Sequence, residues 1–137
     1  MPTPMPLQEI FDTSVNHLRK QGRRSSLTPD SIRLCGDGCK YRLPQDDGTT
    51  LMCAAGPFIV HYKPAMESQS WSDVSHIFPD AVVPMDVVGI KLTNRLQRVH
   101  DNYLPADWEE EWQDVAITYD LVYTPPTQES TDAPSNL

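Results

Sequence analysis

The stretch that decides the fold is Trp108-Glu109-Glu110-Glu111-Trp112-Gln113-Asp114-Val115-Ala116-Ile117-Thr118-Tyr119. Its apolar and aromatic residues recur at the spacing of one helix face, since Trp108, Trp112, Val115, Ala116 and Tyr119 are separated by four, three, one and three positions. The three glutamates stand in the first turn, where the positive end of the helix dipole favours acids. The stretch is therefore predicted to form an amphipathic helix whose two tryptophans face the core.

Three further helices are predicted upstream, each from a stripe of apolar residues at helical spacing. The first covers about residues 6–21 and ends at Gly22, the second is short, is capped by Ser70 and ends at Pro79, and the third covers about residues 84–102. The stripes consist of Leu7, Ile10, Phe11, Val15 and Leu18 in the first, Trp71, Val74 and Phe78 in the second, and Val88, Leu92, Leu96 and Val99 in the third.

A small antiparallel sheet is predicted between the first two of these helices. Residues 40–43 and 49–55 are short candidate strands, and the Asp47-Gly48 pair between them is typical of a hairpin turn. After a break at Gly56-Pro57, residues 58–62 are β-branched and aromatic, so they are expected to be extended. The predicted fold class is α+β, with a sheet or hairpin at about residues 39–62 packed against three to four helices.

The chain is predicted to contain one domain followed by a tail. A length of 137 residues with 39% hydrophobic residues suits a single modest core. From residue 124 onward the composition changes to Pro, Thr, Ser, Gln and Asp, without an apolar period. We therefore predict an α+β domain at residues 1–123 and a disordered C-terminal tail at residues 124–137.

Charge is distributed unevenly along the chain, whose net charge is −8. Residues 1–42 carry seven basic and four acidic residues, whereas residues 99–137 carry nine acids and no Lys or Arg. An acidic protein of this kind repels free nucleic acid, so direct nucleic-acid binding is not expected. The basic run at residues 19–24 either stabilises the C-terminal end of the first helix or contacts phosphate.

The compartment is predicted from what the sequence lacks. It shows no signal-peptide pattern and no apolar run of about 18 residues that would predict a membrane helix. Three cysteines, an odd number, do not indicate a disulfide framework. The expectation is a cytoplasmic protein with reduced thiols and no membrane association.

Two kinds of site chemistry are considered for the cysteines. Cys35, Cys39, Cys53 and His61 have residue types that can complete a tetrahedral zinc site, although a single close-spaced pair is a weak signal. The alternative interpretation is that Cys53 packs as a small apolar residue and that Cys35 and Cys39 line a loop.

Cys53 is also a candidate nucleophile, with one of the histidines as its base. The four histidines are His17, His61, His76 and His100. Phosphate-binding glycine loops and the H-E-x-x-H motif are absent from the sequence. No catalytic residue, metal ligand or cofactor is therefore assigned, and the chain is not expected to be an enzyme.

Five stretches, taken in order, resemble a widespread family of small uncharacterised proteins found largely in bacteriophages and prophages. They are EIFD with HLRKQGR (residues 9–23), CKYR (39–42), CAAGPFI (53–59), YKPAME (62–67) and LQRVHDNY (96–103) leading to Trp108. The family usually reads Cys-Ala-Val-Gly-Cys-Leu-Ile in the third stretch, and Pro57 here replaces its second cysteine. This departure weakens both the zinc and the nucleophile interpretations.

The resemblance implies a phage accessory protein that acts in the cytoplasm of an infected bacterium. Small phage proteins of this kind often bind and block a host or defence protein, as anti-CRISPR and other anti-defence factors do. Occlusion requires a surface and no active site. We predict that Glu109, Glu110, Glu111 and Asp114 contact a basic surface of such a partner. The competing interpretation is that basic residues of the N-terminal half neutralise these acids within the chain.

Overall fold

The structure, a computed structural model, describes residues 3–26 and 40–126. Its helices are α1 (Leu7–Gln21), α2 (Trp71–Ile77), α3 (Val87–Asn102) and α4 (Trp108–Tyr119), and its strands are β1 (Leu43–Pro44) and β2 (Thr50–Leu51). Short 3-10 turns cover Gly56–Phe58, Pro64–Ser68 and Pro105–Asp107. The predicted α+β class is confirmed, with four helices and a two-stranded antiparallel sheet.

Helix ends follow the signals in the sequence. Gly22 ends α1 with a φ of 69°, a left-handed conformation that glycine adopts without the steric cost of a Cβ atom. The Ser70 hydroxyl caps α2 by accepting from the Asp73 N–H. Helix α3 begins at Val87, later than predicted, because the Asp86 carboxylate accepts from the Gly89 N–H at 2.8 Å and so fixes the N-cap there.

The sheet is a minimal hairpin. Leu43 lies opposite Leu51, and Gly48 in the connecting turn has a φ of 91°. The segment 58–62, which was expected to be extended, belongs to no named strand. It follows the 3-10 turn Gly56–Phe58, and Ile59 forms an isolated bridge to Val82. The expectation therefore fails at Phe58, because Pro57 lacks an N–H donor and suits a helical first turn. Ile59 is extended, and the Val60 N–H donates to the Ala81 carbonyl at 2.7 Å.

Helix α3 is the centre of the packing, because α1, α2 and α4 all contact it. A Cβ atom on Gly89 would lie 3.0 Å from Ile10 Cδ1, so the first turns of α1 and α3 meet closely. At the other end, the backbone N–H of Ser25, just after α1, donates to His100 in the last turn of α3. Helices α1 and α3 therefore run parallel, and the short connection after Asn102 returns α4 in the opposite direction.

The core contains the aromatic residues that the helix patterns predicted. Trp108, Trp112, Val115 and Ala116 of α4 are buried, and Tyr119 is half-buried against them. A second aromatic cluster joins the rest of the chain, since the Trp71 ring centroid lies 6.2 Å from those of both Tyr41 and Phe58. Within residues 3–26 and 40–126, no helix is long and apolar enough to cross a membrane.

Candidate functional site

The four acids predicted to bind a partner all lie on α4, but the helix divides them between different environments. Glu110 and Asp114 are exposed, whereas Glu109 and Glu111 are half-buried. The division follows from the helical period. Trp112 and its neighbours on the buried face point toward the core, so Glu110 and Asp114, two positions before and after Trp112, point toward solvent. Glu109 lies on the flank of the buried face, within reach of another helix.

Glu109 is engaged by Arg19 of α1. The Arg19 Nε and Nη2 atoms donate to the two carboxylate oxygens of Glu109 at 2.7 and 2.8 Å, a bidentate ion pair. Tyr123 donates its hydroxyl to the same carboxylate, and Arg19 Nη2 also donates to the Thr124 carbonyl at 2.7 Å. The Arg19 guanidinium stands 5.8 Å from the ring centroid of Trp112 and 5.6 Å from that of Tyr123. We call these five residues the Arg19 clasp.

The pKa of Glu109 reflects this environment. Burial, the largest single influence, raises the pKa of this carboxyl, but hydrogen bonds from Arg19 and Tyr123 and the charge of Arg19 together outweigh it. The pKa of Glu109 is therefore below its ordinary value, and the group is ionised at neutral pH. For Glu109, the structure supports the intramolecular interpretation of the acidic helix.

Glu110 and Asp114 have a different environment. In the part of the chain that the structure describes, neither of them forms an ion pair, and the same is true of Glu111. Ile117 extends the same face, because Asp114 follows Glu110 by four positions and Ile117 follows Asp114 by three, and it is 78% exposed. We call Glu110, Asp114 and Ile117 the outer strip of α4.

The basic run at the end of α1 is not a continuous cationic surface. Arg19 is committed to the clasp, Lys20 is exposed, and Arg24 is buried. The N-terminal half therefore supplies one strong counter-charge to α4 in the described structure, and that counter-charge goes to Glu109.

The possible zinc set is not brought together by the described residues. Cys53 is 1% exposed, while His61 is an exposed residue, and Cys35 and Cys39 lie outside the described residues. Across residues 3–26 and 40–126, no group of three or more His, Cys, Asp or Glu side chains is placed to hold a metal ion.

The Cys53 thiol does not have the environment of an activated nucleophile. Burial raises its pKa to about 12, with a smaller contribution from the charge of Asp101, so the thiol stays protonated at neutral pH. His17 is half-buried, and its Nε2 atom lies 3.2 Å from the Met52 carbonyl. Burial, the largest influence, lowers the pKa of His17.

His100 has both ring nitrogens occupied within the fold. The Ser25 backbone N–H donates to Nε2 at 3.0 Å, so Nδ1 carries the proton and donates to the Asp101 carboxylate at 2.8 Å. The ring is fully buried and stacks on Trp108, with centroids 5.7 Å apart. His100 therefore ties the end of α1 to the end of α3, which is a structural role.

The stretches that carry the family resemblance are joined by two sets of hydrogen bonds. The Glu67 carboxylate accepts from the backbone N–H groups of Tyr41 and Arg42 and from the Tyr62 hydroxyl. The Gln97 side-chain carbonyl accepts from the Ala55 N–H at 3.0 Å. These contacts join residues from four of the five stretches, and spacing in the sequence gave no signal for them.

Glu67 and Gln97 also line a polar cavity of about 390 Å³ between α2, α3 and the segment before β1. The cavity was not anticipated from the sequence. Two of its lining acids are already used by the fold, since Glu67 holds the segment at Tyr41 and Asp101 holds His100. Both lining carboxylates therefore stabilise the fold through their hydrogen bonds.

Comparison of the chain with family models, with curated proteins and with solved structures finds no match. Among the described residues, the outer strip of α4 is an exposed acidic surface without an ion partner.

Proposed function

We propose that this chain is a phage accessory protein that binds a bacterial host or defence protein and inhibits or modulates it by occlusion. The outer strip of α4 would contact a basic surface of that partner. The phage origin and the anti-defence role in this proposal are supported by the family resemblance. An anti-CRISPR protein is one type of anti-defence factor.

One observation carries the proposal. Glu109 has a bidentate cation and a tyrosine hydroxyl, while its neighbour Glu110 and the next-turn Asp114 have no ion partner among the described residues. Acids that are needed only to stabilise the fold would be expected to resemble Glu109. Exposed acids of one sign raise the rate at which a basic partner is captured and help to exclude acidic competitors.

The chemistry of the described side chains is consistent with a binding role. Cys53 is protonated and buried, and His100 is committed to Ser25 and Asp101. Both groups are buried. A surface that acts by occlusion needs neither of them.

The proposal is tested by capture of proteins from bacterial lysate. The purified chain is immobilised and exposed to bacterial lysate, and retained proteins are quantified by mass spectrometry for the wild type and for Glu110→Lys/Asp114→Lys. The matched control is Asp46→Lys/Asp80→Lys, which makes the same change in net charge at two exposed acids that lie in turns outside α4. We expect a protein that the wild type and the control retain and the α4 variant loses.

Affinity for the identified protein is then measured at low and high salt. Steering by exposed charges is screened beyond a Debye length of about 8–10 Å, so added salt should weaken binding of the wild type. Glu110→Lys/Asp114→Lys should bind more weakly and depend less on salt. If affinity is independent of salt, or if both charge variants lose the partner equally, the outer strip is not the binding surface.

A further inference from the structure

One end of the helical bundle is apolar. Helices α1 and α3 begin there and α4 ends there, as the contact between Ile10 and Gly89 and the pairing of Gln8 with Val122 show. The Gln8 amide donates to the Val122 carbonyl at 3.0 Å and accepts from the Val122 N–H at 2.9 Å. The segment after α4 is thereby held against the start of α1.

Four large apolar side chains are exposed at this end, and we call them the apolar end. They are Val87 (69% exposed), Val88 (45%), Ile117 (78%) and Val122 (68%). Val87 and Val88 are the first two residues of α3, Ile117 lies in the last turn of α4, and Val122 follows α4. Of the seven large apolar side chains that are exposed in the described residues, these four lie at one end of the bundle. Single exposed apolar residues, by contrast, are normal on any protein surface.

The charges around the apolar end have mainly one sign. Four exposed acids flank it along the same helix ends, namely Glu9, Asp86, Asp114 and Asp120, and Lys91 is the exposed base on the neighbouring turn of α3. Ile117 belongs both to the apolar end and to the outer strip of α4. The apolar surface is therefore continuous with the acidic surface of the proposed function.

We infer that the apolar end docks a basic amphipathic segment of the partner, whose apolar side chains cover Val87, Val88, Ile117 and Val122 while its Lys and Arg residues face the surrounding acids. This inference rests on the proposed function and specifies the partner's chemistry. It requires the partner to present both aliphatic or aromatic side chains and cations in one segment, as amphipathic helices bound in grooves do.

Charge complementarity selects this occupant over three others. A second copy of the chain would bring the same acids together across a two-fold contact, at a cost that a net charge of −8 increases. Residues 127–137 contain Glu129 and Asp132 with no Lys or Arg, so their sequence offers no complement to an acidic rim. An anionic lipid surface would be repelled in the same way.

The test uses a synthetic peptide of Lys and Leu in a helical amphipathic order, with a scrambled peptide of identical composition as its control. Binding is measured by fluorescence anisotropy with the full chain, with Ile117→Ser/Val122→Ser, and with Val60→Ser/Ile77→Ser. The last variant removes apolar side chains that are also exposed, at 57% and 52%, but lie elsewhere. Thermal melts confirm that both variants fold.

We expect the amphipathic peptide to bind the wild type and the Val60/Ile77 variant alike, and the Ile117/Val122 variant about tenfold more weakly or worse, as for loss of central apolar contacts. The scrambled peptide should bind the wild type about tenfold more weakly than the ordered one, since it keeps the charge but not the apolar face. Equal binding of the peptide to both double variants overturns the inference. So does equal binding of both peptides to the wild type.

Two further measurements exclude the other occupants. Sedimentation equilibrium that shows a dimer, dissociated by Ile117→Ser/Val122→Ser, would assign the apolar end to self-association and overturn the inference. Flotation with phosphatidylglycerol vesicles that requires Ile117 and Val122 would assign it to a membrane, with the same consequence. A monomer that does not float with vesicles supports the peptide-docking interpretation.

The inference and the proposed function can fail separately. If a lysate partner is lost by Glu110→Lys/Asp114→Lys but kept by Ile117→Ser/Val122→Ser, the acidic surface binds and the apolar end does not. If neither variant affects capture, both proposals fail.

Discussion

Glu109 and Glu110 are neighbours in sequence, yet they belong to two different regions of the molecule. The Arg19 clasp holds Glu109 with a bidentate guanidinium and a tyrosine hydroxyl, whereas the outer strip leaves Glu110 exposed without an ion partner in the described structure. One step along a helix rotates the side chain by about 100°, which is sufficient to separate a structural acid from a surface acid. An acidic run on a helix therefore need not have a single role.

The largest expected effect comes from the clasp residue that is buried in the core. Trp112 is buried in the core, and its ring faces the Arg19 guanidinium at 5.8 Å. Trp112→Ala should lower the free energy of unfolding by about 3–5 kcal/mol, measured by urea denaturation. Trp112→Phe keeps an aromatic ring against Arg19 and should lose clearly less. Equal losses for both variants would show that an aromatic ring at this position does not stabilise the fold.

The next prediction compares the two glutamates directly. Glu109→Gln removes the charge from a half-buried pair with Arg19 and should lower the free energy of unfolding by about 1–3 kcal/mol, as for a hydrogen bond to a charged group. Glu110→Gln should change it by about 0.5 kcal/mol or less, as at most exposed positions. Urea denaturation of both variants under the same conditions provides the measurement. A larger loss for Glu110→Gln would reverse the division between clasp and strip.

Much of the fold could be predicted from the sequence because helical signals are local. The apolar period placed α1 and α4, Gly22 marked the end of α1, and Ser70 marked the start of α2. The extended segment at 58–62 was predicted in part. Phe58 lies in a 3-10 turn, whereas Ile59 is extended and the segment pairs through backbone hydrogen bonds with residues 81–83.

The candidate site was less accessible to sequence reasoning. Spacing on α4 identified the acidic helix, but the difference between Glu109 and Glu110 depends on Arg19, which is 90 positions away in the chain. The apolar end was also missed, because Val122 and Val87 are brought to one end only by the antiparallel return of α4. Period alone cannot reveal such contacts between distant elements.

The pH dependence of stability should distinguish the clasp from the strip. Because the pKa of folded Glu109 is below its ordinary value, this group contributes stability above the ordinary pKa of a Glu carboxyl. That contribution is lost as the pH falls through the lower, folded pKa. The melting temperature of the wild type should therefore fall more steeply than that of Glu109→Gln as the pH is lowered from about 5 to 3. Glu110→Gln should follow the wild-type curve. Parallel curves for all three proteins would mean that the clasp does not depress this pKa.

The smallest effect is expected from shortening the chain beyond the clasp. The predicted tail began at residue 124, but the Thr124 carbonyl accepts from Arg19 at 2.7 Å, so the clasp extends one residue past the predicted domain boundary. A chain ending at Pro126 keeps this contact and should melt within about 1 °C of the full chain, which corresponds to a few tenths of a kcal/mol for a domain of this size. A chain ending at Asp120 is the control, since it loses the Val122 pairing with Gln8 and the Tyr123 hydroxyl on Glu109, and it should melt several degrees lower. If the chain ending at Pro126 also melted several degrees lower, residues 127–137 would contribute to the stability of the fold and the clasp would not be its last C-terminal contact.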